Sequence, residues 1–118
     1  MNLQALRGAN TCLDNSLEAI ESSVYELVSE LLKKNMLQSH QIISIIFSAT
    51  KDLDACFPAS IARKRFSLDN VALLDCQQMY VKNDLKRCIR IMAHVWLPEK
   101  QVPIHPYLGN ANLLRPDR

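Results

Sequence analysis

Apolar residues recur along this chain at two different periods, and the change of period separates the elements. From Ser16 to Asn35, Leu17, Ile20, Val24, Leu27, Val28 and Leu31 fall three or four residues apart, which predicts one long helix with a single apolar face. Glu18, Glu21, Ser22, Ser29 and Lys33 take its other side. Asn15 followed by Glu18 resembles a capping box, and Lys33 and Lys34 sit late, where the helix dipole favours cations.

The remaining apolar segments are shorter and β-branched. Leu85 to Trp96 contains no Gly or Pro and reads as a buried strand. Alternation places Cys88, Arg90 and Met92 on one of its faces and Ile89, Ile91 and Ala93 on the other. Gln41 to Thr50 is nearly continuously apolar, as expected of a strand covered on both sides. Val71 to Cys76 predicts another strand, followed by Gln77 to Val81. Asn2 to Ala9 alternates weakly and predicts a first strand ending at Gly8-Ala9, with Asn10 to Asn15 as a polar turn. Phe57-Pro58 opens a short helix running to Phe66, with Pro58 suited to the first helical position. Lys51 to Ala55 and Lys82-Asn83-Asp84 are polar connections. Beyond Trp96, Pro98, Pro103, Pro106 and Pro116 exclude long regular elements and predict an irregular tail.

These elements predict one domain over 1–118, a mixed α/β or α+β sandwich with helices on one face of a single sheet. The other face would be bare, and in so small a chain oligomerisation is the natural cover.

Composition narrows the function. The 118 residues carry 14 basic and 12 acidic side chains, a net charge of +2, too balanced for nucleic acid or an anionic membrane surface to be the main partner. No apolar run approaches the roughly 18 residues of a membrane span, and the N-terminus lacks a signal peptide's apolar region, so a cytoplasmic location is expected. Cys12, Cys56, Cys76 and Cys88 are widely spaced, with no Cys-x-x-Cys and no nearby His pair; reduced thiols and no zinc are expected. With only Gly8 and Gly109 there is no phosphate-cradling loop.

The candidate chemistry therefore centres on Arg90, a full cation placed mid-strand among apolar neighbours. A buried guanidinium is costly unless it is paired or meets an anion. It is either a snorkelling or ion-paired structural arginine, or one that faces an anion or an electron-rich oxygen in a cleft. Arg7 at the end of the first strand and Asp75 at the end of the third admit equally plain roles, as a solvated end and as a turn or cap residue. His40, His94 and His105 read as structural or surface residues, with His105-Pro106 placing Tyr107.

A set of motifs decides between these readings. Arg7-Gly8-Ala9, Ser48-Ala49-Thr50 with Asp52-Leu53 before Phe57-Pro58-Ala59, Arg63, Met79, Leu85-Lys86, Cys88-Ile89-Arg90, and Tyr107-Leu108 before Leu114-Arg115-Pro116-Asp117 follow one another at nearly constant spacing. Together they resemble the AroH-class chorismate mutases from about residue 5 to the end. The resemblance implies a homotrimeric pseudo-barrel with one long and one short helix packed outside, and an active site in each cleft between two subunits. It implies an intramolecular rearrangement of chorismate to prephenate on the route to phenylalanine and tyrosine, with no cofactor, metal or covalent intermediate. Arg90 would stabilise the charge that builds on the ether oxygen. Arg7 and Tyr107 match the family's other substrate ligands, Arg63 and Arg115 its more peripheral cations, and Phe57, Ala59, Leu73 and Leu74 its pocket wall.

Three positions depart from the family. Gln78 stands where the family usually has a glutamate that accepts from the substrate hydroxyl. Asp75 stands where a cysteine or small polar residue is common. Ser60 replaces a lysine found in some relatives, and the turn at 82–84 lacks the glycines common there. The expectation is that Asp75 supplies the displaced carboxylate and the hydroxyl acceptor, with Gln78 as its neutral support, both facing one cleft. Two other functions fit the same residues less well: a trimer that binds an aromatic-pathway metabolite without turnover, and a RidA-like enamine or imine deaminase on a similar trimeric scaffold.

Overall fold

The computed structural model describes residues 1–114. The element order is β1 (Asn2–Thr11), α1 (Leu17–Lys34), a 3-10 turn (Ser39–Gln41), β2 (Ile42–Ala49), α2 (Pro58–Phe66), β3 (Ala72–Gln77), β4 (Cys88–Leu97) and a second 3-10 turn (Gly109–Leu113). The strands form one sheet in the order β1-β4-β2-β3. β4 runs antiparallel to both neighbours, and β3 runs parallel to β2, with α2 as the crossover.

Both helices lie on one face of this sheet. Ile89, Ile91, Ala93, Val95 and Leu97 of β4, Ile45 and Phe47 of β2 and Leu6 of β1 meet Ile20, Val24, Leu27, Val28 and Leu31 of α1 in one core. Each large side chain buried there contributes roughly 1.5–3 kcal/mol. The opposite face carries Cys88, Arg90, Met92, His94 and Trp96 of β4, registered against Thr11, Ala9, Arg7, Ala5 and Leu3 of β1 and, from Arg90 to His94, against Ser48, Ile46 and Ser44 of β2. No helix of the described residues covers it, and Leu3, Leu74 and Trp96 are exposed upon it. The sheet bare on one side is as expected from the sequence.

Several local expectations change. β1 continues through Asn10 and Thr11 rather than turning after Ala9. Asn10 is buried, pairs with Ile89, and its amide donates to the Ser23 carbonyl at 3.2 Å, so a polar residue is satisfied inside the sheet. The cap of α1 is Ser16, whose Oγ accepts from Ala19 N at 3.1 Å. Asn15 instead ties the chain to Asp54 with reciprocal bonds of 2.7 and 3.0 Å. β2 is covered on both faces only in part, since Ile43 is exposed beside a register shift. β4 begins at Cys88, not Leu85, because Arg87 has φ 49° and its N–H goes to the Asp52 carboxylate instead of a ladder.

The proline-rich tail is irregular yet fastened. Asn35, fully buried at the end of α1, donates to Leu31 O and Ile104 O and accepts from Ile104 N, while its own carbonyl accepts from Gln101 Nε2. Further on, Tyr107 bridges to Ala9 in parallel, with Ala9 N donating to Pro106 O at 3.0 Å and Leu108 N to Ala9 O at 2.8 Å. Gly8 permits this: a Cβ there would lie 2.4 Å from Pro106 O.

Candidate active site

The bare face of the sheet gathers one group of the candidate side chains. Arg90 stands at its centre because an even position of β4 turns away from the helices. Its Nη2 lies 3.4 Å from Asp84 Oδ2, and its Nη1 is buried with no hydrogen-bond partner among the described residues. Beside it in register is Ser48 of β2, whose hydroxyl donates to Gln78 Oε1 at 2.7 Å. Gln78 is held here because its N–H continues the ladder to Ala49 O at 2.8 Å. Arg7 shares the face, paired with Met92, and its backbone N–H donates to His105 Nδ1 at 2.9 Å. The Tyr107 bridge to Ala9 brings the phenol to the same end, where it packs with Ala9, Cys88 and Ala111 in a second small apolar cluster. Burial pushes the Cys88 thiol up to about 11, so it is a packing group and not a thiolate at neutral pH.

A second group lies on the helix side. Asp75 registers with Phe47, and its Oδ1 accepts from Ala59 N at 3.0 Å, capping the first turn of α2, where Phe57 at the N-cap position offers no side-chain acceptor. Burial raises the Asp75 carboxyl above its ordinary value, against the lowering effect of that N–H. Phe57 is exposed at 69% immediately before α2, Ser60 is half-buried, and Arg63 is exposed in the last turn. Leu73 packs against the main core, whereas Leu74, on the bare face, is exposed. A cleft of about 830 Å³ opens between α1, α2 and the loop after β2, with Phe57, Ser60 and Asp75 in its wall.

Within one chain, then, Arg7, Arg90, Gln78 and Tyr107 share the bare face and its rim, while Phe57, Ala59 and Asp75 belong to the other side of the sheet. Asp75 and Gln78 do not share a cleft within the chain. Arg115 lies outside the described residues. Among those described, no cluster of His, Cys, Asp or Glu is placed to hold a metal. The residue missed from sequence is Asp84, which borders a second cleft of about 640 Å³ with Gln78 and Arg87. A carboxylate six residues before Arg90, across a turn, is the signal that marks it.

Two guanidinium groups and a phenol on the open side of a helix-backed sheet define a small α+β protein with a cationic face. Comparison with known proteins gives the family. The model of chorismate mutase type I matches residues 3–118. The chain is 33% identical to the chorismate mutase AroH of Bacillus subtilis, over 99% of this chain and 93% of that one. It is 36% identical to the chorismate mutase AroH of Thermus thermophilus, over 98% and 95%. A solved chorismate mutase from Clostridium thermocellum superposes with a TM-score of 0.87 at 40% identity, covering 93% of this chain and 98% of that one. The chain belongs to the chorismate mutase type I family, and it is an isomerase of that activity in aromatic amino-acid biosynthesis.

Proposed function

We propose that this chain, as a single catalytic domain, rearranges chorismate to prephenate by holding the dianion compact and stabilising the charge that develops as its ether bond breaks. The observation that carries the assignment of roles is the Nη1 of Arg90 on the bare face, buried and without a partner among the described residues. A fixed donor of this kind gains more from a developing oxyanion than from a neutral ether oxygen, so it lowers the barrier and not merely the ground state. Arg7 and Tyr107 fix the substrate carboxylates, which removes rotational freedom before bond making. Arg63 and Arg115 capture the dianion from outside. No proton leaves or enters, in keeping with a thiol at Cys88 that stays protonated.

The second half of the site is supplied by another copy. The bare apolar face supports burial in a homotrimer, and the placement of Phe57, Ala59, Leu73 and Asp75 on the helix side, apart from Arg90, supports a cleft formed between subunits, with Leu74 exposed on the bare face. In that cleft Asp75 accepts the substrate hydroxyl and Gln78 supports it as a neutral group. No described helix is long and apolar enough to cross a membrane, and we place the enzyme in the cytoplasm.

The test is loss of chorismate absorbance with identification of prephenate. Removing the Arg90 donor should lower kcat by roughly 10²–10³-fold in Arg90→Ala. Wild-type activity in that variant would overturn the assignment. Asp75→Asn at the wild-type rate, together with an inactive Gln78→Ala, would overturn the role given to Asp75.

A further inference from the structure

We infer that Asp84 is a positioning residue for the reaction: it grips one nitrogen of Arg90 and so aims the other, Nη1, at the reacting oxygen. The inference rests on the role given to Arg90 above. The two terminal nitrogens of that guanidinium differ in surroundings. Nη2 faces Asp84 Oδ2 at 3.4 Å, and Nη1 is buried without a partner among the described residues. Because the guanidinium is planar and rigid, an anion on one nitrogen fixes the direction of the other.

Asp84 is itself held. Its N–H donates to Val81 O at 3.1 Å, closing a turn in which Asn83 takes φ 67°, and its Oδ1 accepts from Leu85 N at 2.8 Å. One carboxylate oxygen thus serves the turn and the other serves the arginine. The segment is fastened on both sides. Arg87 N–H meets Asp52, Arg87 Nε donates to Cys12 O at 3.1 Å, and Lys51 lies over the Tyr80 ring at 4.2 Å. Other candidates for the anion are occupied elsewhere. Asp75 caps α2 on the far side of the sheet, Asp52 receives Thr50 and Arg87, and Gln78 is neutral with its oxygen on Ser48. Among the described residues, Asp84 is the carboxylate paired with Arg90.

The kinetic consequence has a sign. An anion beside Arg90 weakens the ground-state attraction for a dianionic substrate, while the fixed orientation favours the transition state. Removing only the charge should therefore lower kcat and leave KM unchanged or lower. Asp84→Asn is the suitable variant, since its Oδ1 still accepts from Leu85 N and the turn survives. Asp84→Ser, whose hydroxyl can also accept there, provides a second uncharged variant should the first fold poorly. Steady-state kinetics with chorismate should show kcat reduced about tenfold in either variant, with KM no higher than wild type and the thermal midpoint unchanged, the size expected of lost orientation at one group. A kcat within twofold of wild type in a folded variant would overturn the proposal, whatever happens to KM. Arg90→Ala measured alongside separates the two readings. If it is inactive while Asp84→Asn keeps its kcat, only the role of Asp84 falls. If Arg90→Ala is active, the role of Arg90 falls and that of Asp84 with it.

Discussion

At the residue scale, Arg90 and Asp75 are two charged groups that the fold keeps partly out of water on opposite sides of one sheet. For Asp75 this has a cost. Its carboxyl is raised by burial, so the ionised form is disfavoured in the folded protein. A raised carboxyl contributes stability below its unfolded value and loses it as pH rises through the folded one. Asp75→Asn keeps an oxygen for Ala59 N and removes the charge. It should be more stable than wild type near neutral pH, with the difference vanishing in acid, and slower as a catalyst; thermal melts across pH and the prephenate assay check both. A less stable Asn variant at pH 7 would contradict the account. Cys88 and Cys12, both raised by burial, should resist alkylation in the native state and react on unfolding, as mass spectrometry of labelled protein would show.

Elements formed by local rules were legible in the sequence. The apolar face of α1 and the Pro58 start of α2 needed only periodicity and a fixed φ, and the face of β4 that carries Arg90 followed from alternation. What escaped was set by distant partners. β4 starts late because Asp52, far back in the chain, takes the Arg87 N–H. The helix cap passed to Ser16 because Asn15 is claimed by Asp54. The Arg90 counter-ion is hidden in sequence because Lys82-Asn83-Asp84 has the composition of an ordinary turn. The family resemblance supplied the roles of Arg7 and Tyr107, which taken alone read as a solvated strand end and a tail residue. Their joint position depends on the weld between β1 and the tail. Gly8→Ala puts a methyl against Pro106 O, and separating the two segments should cost about 1–3 kcal/mol. Activity should fall further than stability, since Tyr107 moves with the tail. Denaturant titration together with kinetics tests this, and an active, fully stable Gly8→Ala would contradict the weld.

At the scale of the whole molecule, one sheet face is packed by helices and the other is left with exposed Leu3, Leu74 and Trp96 beside Arg7 and Arg90. In the proposed trimer the apolar part of the face packs on other copies, and the cationic part meets the α2 edge of a neighbour. A charge placed in the apolar part, as in Trp96→Glu combined with Leu3→Glu, should shift the mass in solution from three chains to one and abolish turnover in parallel. Retained activity in a monomer would exclude a shared site. The most direct measurement is complementation between two inactive variants. Arg90→Ala lesions the bare face, and Phe57→Asp sets an anion at the exposed start of α2, where it repels a dianion. Unfolded together and refolded at equal amounts, they form mixed trimers in which about a quarter of the clefts combine two intact halves. Prephenate formation should return to about that fraction of wild type. A mixture as inactive as its two components would contradict it, because each chain would then carry its whole active site alone.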